Sequence, residues 1–289
     1  MSLEQFAAFQ RAQGAEIVRI GDAYWRRLRP FFYRPLLPFR EYPPDSTRTP
    51  FGAKLGGVQY AVPRGVEANS CLNVLLFDNP EAYSLESLDR RRRWEVRQAA
   101  KHFTVCPVES SDELIRKAYS TYCAFYLRTH YGYRSERRHL DGFSRWAESL
   151  FQFPEVSVFG AYRGCNLCAV GIWALVEDAL IYLTMFCDEE ALRLNVTALM
   201  LHTLREVGAG CPQVKQIFVG MYHHLGRKSI DDFYLLRGCR LIQKPARFCL
   251  NPAASLFLRL CMPRQYAKLL GKIGERGTER PPIGEAPAR

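Results

Sequence analysis

No stretch of this chain approaches the ~18 apolar residues that a helix needs to cross a bilayer, although 48% of its 289 residues are hydrophobic. The composition is therefore that of a globular chain with enough apolar material for one large domain or two modest ones. Lysine is scarce, supplying eight of the 40 basic residues, and the rest are arginine. The formal net charge of +11 favours anionic partners. Nucleic acid, a phosphate-bearing cofactor and an anionic membrane surface all qualify, and charge alone does not choose among them. The ten cysteines lack any regular spacing, and Cys106, Cys187, Cys239 and Cys249 fall inside apolar runs. Reduced core thiols of a cytoplasmic protein are expected. Cys165 and Cys168 have no second pair of Cys or His at ligand spacing, so no metal is expected. The opening MSLEQFAAFQ carries Glu4 early and no apolar core, unlike a signal peptide. A Ser-His-Asp or Cys-His arrangement with supporting context is also missing.

What is present is organised in segments. Residues 1–101 read as an N-terminal extension. It opens with a mild helical pattern and a basic aromatic stretch, Tyr24 to Pro35, which either grips phosphates or a membrane interface or packs as an irregular arm. Val58 to Val62 and Leu72 to Phe77 have strand composition, and Leu85 to Lys101 reads as a helix carrying the run Arg90-Arg-Arg-Arg93. That run is either a solvated face or a phosphate-binding ridge. Residues 251–274 read as one amphipathic basic helix that packs on a core or rests on a membrane, and 275–289 as a disordered tail.

Residues 102–250 have the clearest order. A strand over His102 to Val108 leads to a capping box at Ser110 to Glu113 and a helix with an apolar stripe through Ala118, Tyr122 and Tyr126. A second helix runs from Arg137 to Phe151. Three strands follow, Val156 to Tyr162, Leu167 to Val176 and Leu180 to Cys187, as an antiparallel meander. Then come a long helix, Glu189 to Val207, a strand, Val214 to Val219, a short helix, Ser229 to Arg237, and a last strand, Leu241 to Leu250. Gly238 is placed to end the short helix with positive φ. In this setting Tyr234-Leu-Leu-Arg-Gly238-Cys239 resembles the Tyr-x-x-x-Gly-Phe end of GNAT-type N-acyltransferases. The order β-α-α-β-β-β-α-β-α-β is also that of the GNAT fold. Arg93-Trp-Glu-Val-Arg97-Gln-Ala99 resembles the entry into the second half of FemAB-like aminoacyl transferases. The expected class is thus α+β, with a GNAT-like mixed, splayed central sheet flanked by helices. The first 101 residues are either a reduced first half of a tandem or an extension.

The resemblance implies chemistry at particular positions. In the GNAT family the acyl donor lies where two parallel strands part, here Leu180 to Cys187 and Val214 to Val219, with backbone groups of Met185, Phe186 and Cys187 facing the acyl carbonyl. The phosphate loop corresponds to Arg193, Asn195 and Thr197, but Val196 stands where the family has a glycine, which counts against a standard coenzyme A cradle. Tyr234 is implied as the general acid toward the leaving group. His223 or His224 would accept the amine's proton, and Tyr182, Thr184 and Tyr222 would line the acceptor site. Tyr182 and Thr184, two apart, are expected on one strand face. The implied reaction moves an acyl or aminoacyl group from acyl-CoA or aminoacyl-tRNA to a small-molecule amine, with a cell-envelope or polysaccharide precursor as one acceptor class. The alternative is a GNAT-fold protein without turnover that binds tRNA, other nucleic acid or an anionic membrane surface.

Overall fold

The computed structural model describes residues 1–129, 134–222 and 228–270. In chain order the elements are helix α1 (Leu3–Ala12), strands β1 (Ile17–Ile20), β2 (Ala23–Arg29), β3 (Phe32–Pro35), β4 (Gly57–Ala61) and β5 (Ser70–Phe77), and helix α2 (Arg90–Ala99). Next are β6 (Thr104–Pro107), α3 (Ser111–Thr129), α4 (Leu140–Phe151), β7 (Val156–Arg163), β8 (Asn166–Val176) and β9 (Ala179–Cys187). The chain continues through α5 (Glu189–Arg193), α6 (Val196–Ala209), β10 (Gln216–Met221), α7 (Lys228–Leu235), β11 (Arg240–Leu250), α8 (Pro252–Cys261) and α9 (Pro263–Leu269). The class is α+β with an open, mixed sheet, as the order of sequence elements implied.

The chain divides into two compact units. The first comprises Met1–Ile17, Leu75–Gly220 and Asp231–Leu241. Its strands run β10-β9-β8-β7-β6, antiparallel except for the parallel pair β10 and β9. One face of this sheet carries α6, whose Met200 methyl fills the space that a Cβ on Gly171 would need. Val196, Ala198, Leu199 and Met200 of α6 join Val96 and Ala99 of α2 and Ala161, Ala169 and Cys187 of the sheet in one apolar cluster. The other face carries α3 and α4, where Tyr122, Phe143 and Trp146 meet one another and Tyr122 and Trp146 flank Phe186. Both faces are covered, which is why β8 is almost continuously buried instead of alternating.

Local signals explain the ends of several helices. Ser110 Oγ accepts the Glu113 N–H at 3.2 Å, the first half of the expected capping box, while the Glu113 carboxylate accepts from Glu109 N–H at 3.0 Å, one residue earlier than a box requires. A complete box that the mild pattern did not reveal lies at Ser2 and Gln5, opening α1. The expected single helix from Glu189 to Val207 is in fact two. Asn195 takes φ +62° between α5 and α6, a left-handed conformation that Asn tolerates better than most residues. The break rotates Leu192 out to solvent while Val196, Leu199, Met200 and Leu204 stay buried.

The second unit comprises Val18–Val74, Met221–Ile230 and Ile242–Arg289. The basic aromatic stretch is not an irregular arm. It forms the antiparallel pair β2 and β3 around a turn with Phe31 at φ +60°. Alternation then puts Trp25 and Tyr33 into a cluster with Val58, Tyr60 and Val62, and Trp25 meets Tyr60 edge to face at 5.7 Å. Strand β3 pairs parallel to β4, and β4 pairs antiparallel to β11. The single C-terminal helix expected over 251–274 is also two helices, parted at Met262 because Pro263 starts a new first turn. Residues 275–289 lie outside the described residues.

Candidate functional site

Strands β9 and β10 begin in parallel register, with Gln216, Ile217 and Phe218 opposite Ala179, Leu180 and Ile181. The register ends there, while β9 runs on to Cys187. Among the described residues, the outer half of β9 is thus paired with β8 alone. At the point of parting, β9 carries a bulge. Trp173 of β8 faces Tyr182, and the next residue, Ile172, faces Thr184, so Leu183 is the extra residue and lies outside both ladders. Leu183 thus marks the mouth of the gap between the strands.

The bulge also corrects a reading from spacing. Side chains paired across a ladder share a face, and Trp173 and Ile172 point to opposite faces. Tyr182 is therefore on the Trp173 face and Thr184 on the Ile172 face. Met185 and Cys187, opposite Gly171 and Ala169, share the face of Tyr182. Phe186 points the other way, into the ring cluster under α3. The carbonyl of Cys187 accepts from the Arg128 guanidinium at 3.0 Å, and burial pushes the Cys187 thiol up to about 11 against the opposing influence of Arg128.

Tyr234 reaches this neighbourhood from α7. The Cys239 N–H donates to the Tyr234 carbonyl at 3.1 Å, the Gly238 N–H donates to the Leu235 carbonyl at 3.2 Å, and Gly238 has φ +86°. These two bonds make a Schellman motif in which Tyr234 is the residue whose carbonyl closes the outer loop. The Tyr-x-x-x-Gly spacing is thus the spacing of a helix stop, and it fixes Tyr234 in the last turn. Its ring meets Tyr182 edge to face, with centroids 6.5 Å apart. Burial, helped by Cys239 and Asp231, raises the Tyr234 phenol above its ordinary value. Burial likewise lifts Tyr182 well above the usual phenol range, with Tyr234 and Cys187 adding to it. Both phenols are neutral proton carriers at physiological pH. Cys239, where the resembled family has an aromatic, is buried and directs its thiol at the Leu76 carbonyl, 3.4 Å away.

Behind Tyr234 lies a charged network that the sequence did not disclose. The Arg237 guanidinium is ion-paired with Glu95 of α2, and both side chains are under one-tenth exposed. Arg92 holds the other Glu95 oxygen at 2.6 Å. Arg237 also stacks on Phe233 at 3.9 Å and donates to the Phe233 carbonyl at 2.8 Å. Arg205 of α6 donates to the Arg237 carbonyl at 2.5 Å and lies 3.6 Å over the Tyr83 ring. Burial lowers Arg205 to about 10. The only sequence sign of this network was Glu95, the one acid in a strongly basic helix. The run Arg90 to Arg93 is accordingly divided: Arg92 is turned inward, Arg93 donates to the Glu86 carbonyl at 3.1 Å, and Arg91 is exposed.

Other positions named from sequence fall elsewhere. Arg193 is exposed and ion-paired with Glu189 one turn away on α5. Asn195 and Thr197 are half-buried at the α5–α6 break, and the Asn195 side chain caps nothing. Val196 is fully buried in the apolar cluster, so its side chain is a core element and not a lining of an anion cradle. Tyr222 belongs to the second unit, where its N–H donates to the Asn73 carbonyl at 2.9 Å. His223 and His224 lie outside the described residues. The structure thus brings together Tyr182, Met185, Cys187 and Tyr234 in the first unit and separates Thr184 and Phe186 from them by a sheet.

No protein-family model matches the chain, and no curated protein matches it. Solved structures do. A crystal structure of FemX is 11% identical with a TM-score of 0.57, covering 90% of this chain and 94% of that one. The C-terminal domain of a putative lysylphosphatidylglycerol synthetase from Agrobacterium fabrum is 12% identical with a TM-score of 0.53, over 91% and 92% of the two chains. L-PGS from Bacillus licheniformis is 11% identical with a TM-score of 0.52, over 94% and 98%. At most a tenth of this chain falls outside each of these superpositions, so the likeness reaches well into its first hundred residues. The chain therefore has the fold of FemX and these synthetase domains, which is the GNAT-type architecture with FemAB-like features that its order of elements resembled.

Proposed function

We propose that this chain is an aminoacyl or acyl transferase that moves its group onto an amine, with an aminoacyl-tRNA ester as donor. The observation that carries this reading is the parting of β9 from β10 at the Leu183 bulge, with the neutral Tyr182 and Tyr234 phenols in contact beside it. An amine attacks the ester carbonyl, the C–N bond forms, and negative charge gathers on the carbonyl oxygen. Preorganised backbone N–H donors aimed at that oxygen stabilise such charge more than water does. When the C–O bond breaks, the leaving oxygen needs a proton, and Tyr234 is the group placed to supply it. The proton lost by the amine restores the phenol through solvent or a base.

The choice of donor is supported by the poor fit to coenzyme A. A glycine-lined phosphate loop would need small residues where Val196 fills the core, and Arg193, the loop's cation, is already paired with Glu189. One neighbour in fold is described as a lysylphosphatidylglycerol synthetase, a protein named for an aminoacylated product. An acceptor in the cell envelope is consistent with that fold likeness.

The test is thermal stabilisation of the full chain by charged tRNA, uncharged tRNA, acetyl-CoA and a long-chain acyl-CoA. A ligand present at 100 times its Kd adds about 2.7 kcal/mol. Stabilisation by charged tRNA alone is the expected result, followed by transfer of a labelled amino acid to an amine acceptor. Stabilisation only by CoA esters would move the donor assignment to acyl-CoA. Binding of tRNA with no transfer to any amine would favour the reading without turnover, and no stabilisation by any of the four would sink the proposal.

A further inference from the structure

The second unit presents an apolar surface with a cationic rim. Helix α8 has no buried residue, and Leu256, Phe257 and Leu260, spaced along one helical face, are all exposed, Leu260 by 73%. The helix is anchored at its start to the turn before β4: Asn251 N–H donates to the Gly56 carbonyl at 2.8 Å, and the Asn251 side-chain amide donates to the Lys54 carbonyl at 2.9 Å. That turn exposes Leu55 and Phe51, the latter by 77%. The β2–β3 turn joins it through Gly57 N–H to the Phe31 carbonyl, 2.9 Å, and Phe31 is exposed as well. Three separate segments thus converge on one place, each offering large apolar side chains to water.

The charge around this place has one sign. Residues 23–40, 46–66 and 241–270, which build it, contain no aspartate or glutamate. Arg29, Lys54 and Arg259 are exposed along it. The Lys54 ammonium stands 5.1 Å over the Phe51 ring, and the Arg259 guanidinium 5.1 Å over the Tyr266 ring. Cations poised on aromatic rings beside exposed leucines are the chemistry of an interface between hydrocarbon and phosphate head groups. Exposed apolar patches of this kind mark interaction sites in monomeric proteins. A second copy of the chain fits the apolar part but would bring two acid-free cationic rims together. An anionic bilayer satisfies both parts at once.

We infer that this face docks the protein onto an anionic lipid surface, with Phe31, Phe51, Leu55, Leu256, Phe257 and Leu260 entering the head-group boundary and the basic rim pairing with lipid phosphates. Docking is at the surface of the bilayer, and no helix among the described residues is long and apolar enough to span one. The inference is independent of the transferase reading, because none of its residues belongs to the Tyr182 and Tyr234 site.

The experiment is flotation of the full chain with phosphatidylcholine vesicles and with vesicles in which roughly one-third of the lipid is phosphatidylglycerol. The wild-type protein should float with the anionic vesicles and lose most of that binding at high salt. The pair Phe257→Ser and Leu260→Ser, and separately the pair Lys54→Glu and Arg259→Glu, should each weaken partitioning about ten-fold or more. Trp94→Ser, which removes an exposed ring from α2 in the first unit, should not. Circular dichroism melts show that each variant is folded. Failure of the wild-type chain to float with anionic vesicles, or unchanged flotation of the apolar pair, overturns the inference. A concentration-dependent dimer seen by sedimentation without lipid, broken by the apolar pair and unaccompanied by vesicle binding, would overturn it in favour of a second copy. Turnover on a soluble amine should be equal in all these variants, so loss of docking and loss of catalysis are read separately.

Discussion

The Tyr182 and Tyr234 rings meet edge to face, with centroids 6.5 Å apart and planes at 86°. Each ring is delivered by a local irregularity. Tyr182 faces this way because Leu183 is an extra residue in β9, and Tyr234 sits where it does because Gly238 stops α7 four residues later. The pair is therefore sensitive to single changes that leave the surrounding core alone.

Tyr234→Phe keeps the ring contact and removes the phenolic proton. On the proposed mechanism, kcat should fall by about 10²- to 10⁴-fold, the range of a lost general acid, while the melting temperature stays within a few degrees. Tyr182→Phe should cost much less. Steady-state kinetics on both variants checks this, and an unchanged kcat in Tyr234→Phe would show that this phenol acts only as packing.

Val196→Gly would restore the glycine that the resembled phosphate loop carries. Because Val196 is fully buried in the cluster around α6, the change should open a cavity and loosen the helix start, costing about 2–4 kcal/mol. Calorimetry should show no gain of coenzyme A binding. A stable variant that binds coenzyme A would mean that the loop is a dormant cradle.

The ion pair between Glu95 and Arg237 is buried on both sides. Breaking such a pair from one side leaves an uncompensated charge and typically costs about 3–5 kcal/mol. Arg237→Met should therefore destabilise strongly in urea melts, and adding Glu95→Leu should recover much of the loss. If Arg237→Met alone is nearly neutral, the network does not hold α7.

Stability should fall on the alkaline side. Burial raises the Cys187 thiol to about 11 and raises Cys239 further still. Both folded-state values lie above those of the unfolded chain, so stability is complete below the ordinary thiol value near 9 and is lost as pH climbs through it. Each thiol contributes a slope of about 1.4 kcal/mol per pH unit within that window. Urea midpoints at pH 8 and pH 10 should differ, and the difference should shrink in Cys187→Ala. Equal midpoints would contradict the burial of both thiols.

Periodicity made the first unit legible. Alternation and turn residues located the meander β7-β8-β9 to within a residue or two, and Gly238 marked the end of α7, because these signals act over a few neighbouring positions. The Asn195 break was less visible, since an apolar stripe through Leu192 and Val196 continues across it in sequence. In the second unit, the arginines of Tyr24 to Pro35 suggested a binding arm or a loose one. Alternation had in fact already placed Trp25 and Tyr33 for a strand pair, and the surrounding charge obscured it.

By itself the sequence determined the order of strands and helices over residues 102–250 apart from the break at Asn195, the helix stop at Gly238, the basic charge and the position of Tyr234 in a last turn. All of these depend on local backbone preference and on composition. Only the tertiary structure decided that Leu183 bulges, that Tyr182 and Thr184 part to opposite faces, that Glu95 pairs with Arg237 and that Val196 belongs to the core. Those outcomes depend on which residue lies across a ladder or a helix interface. Register shifts by one residue leave no mark on the chain in which they occur, yet each one turns every later side chain to the other face.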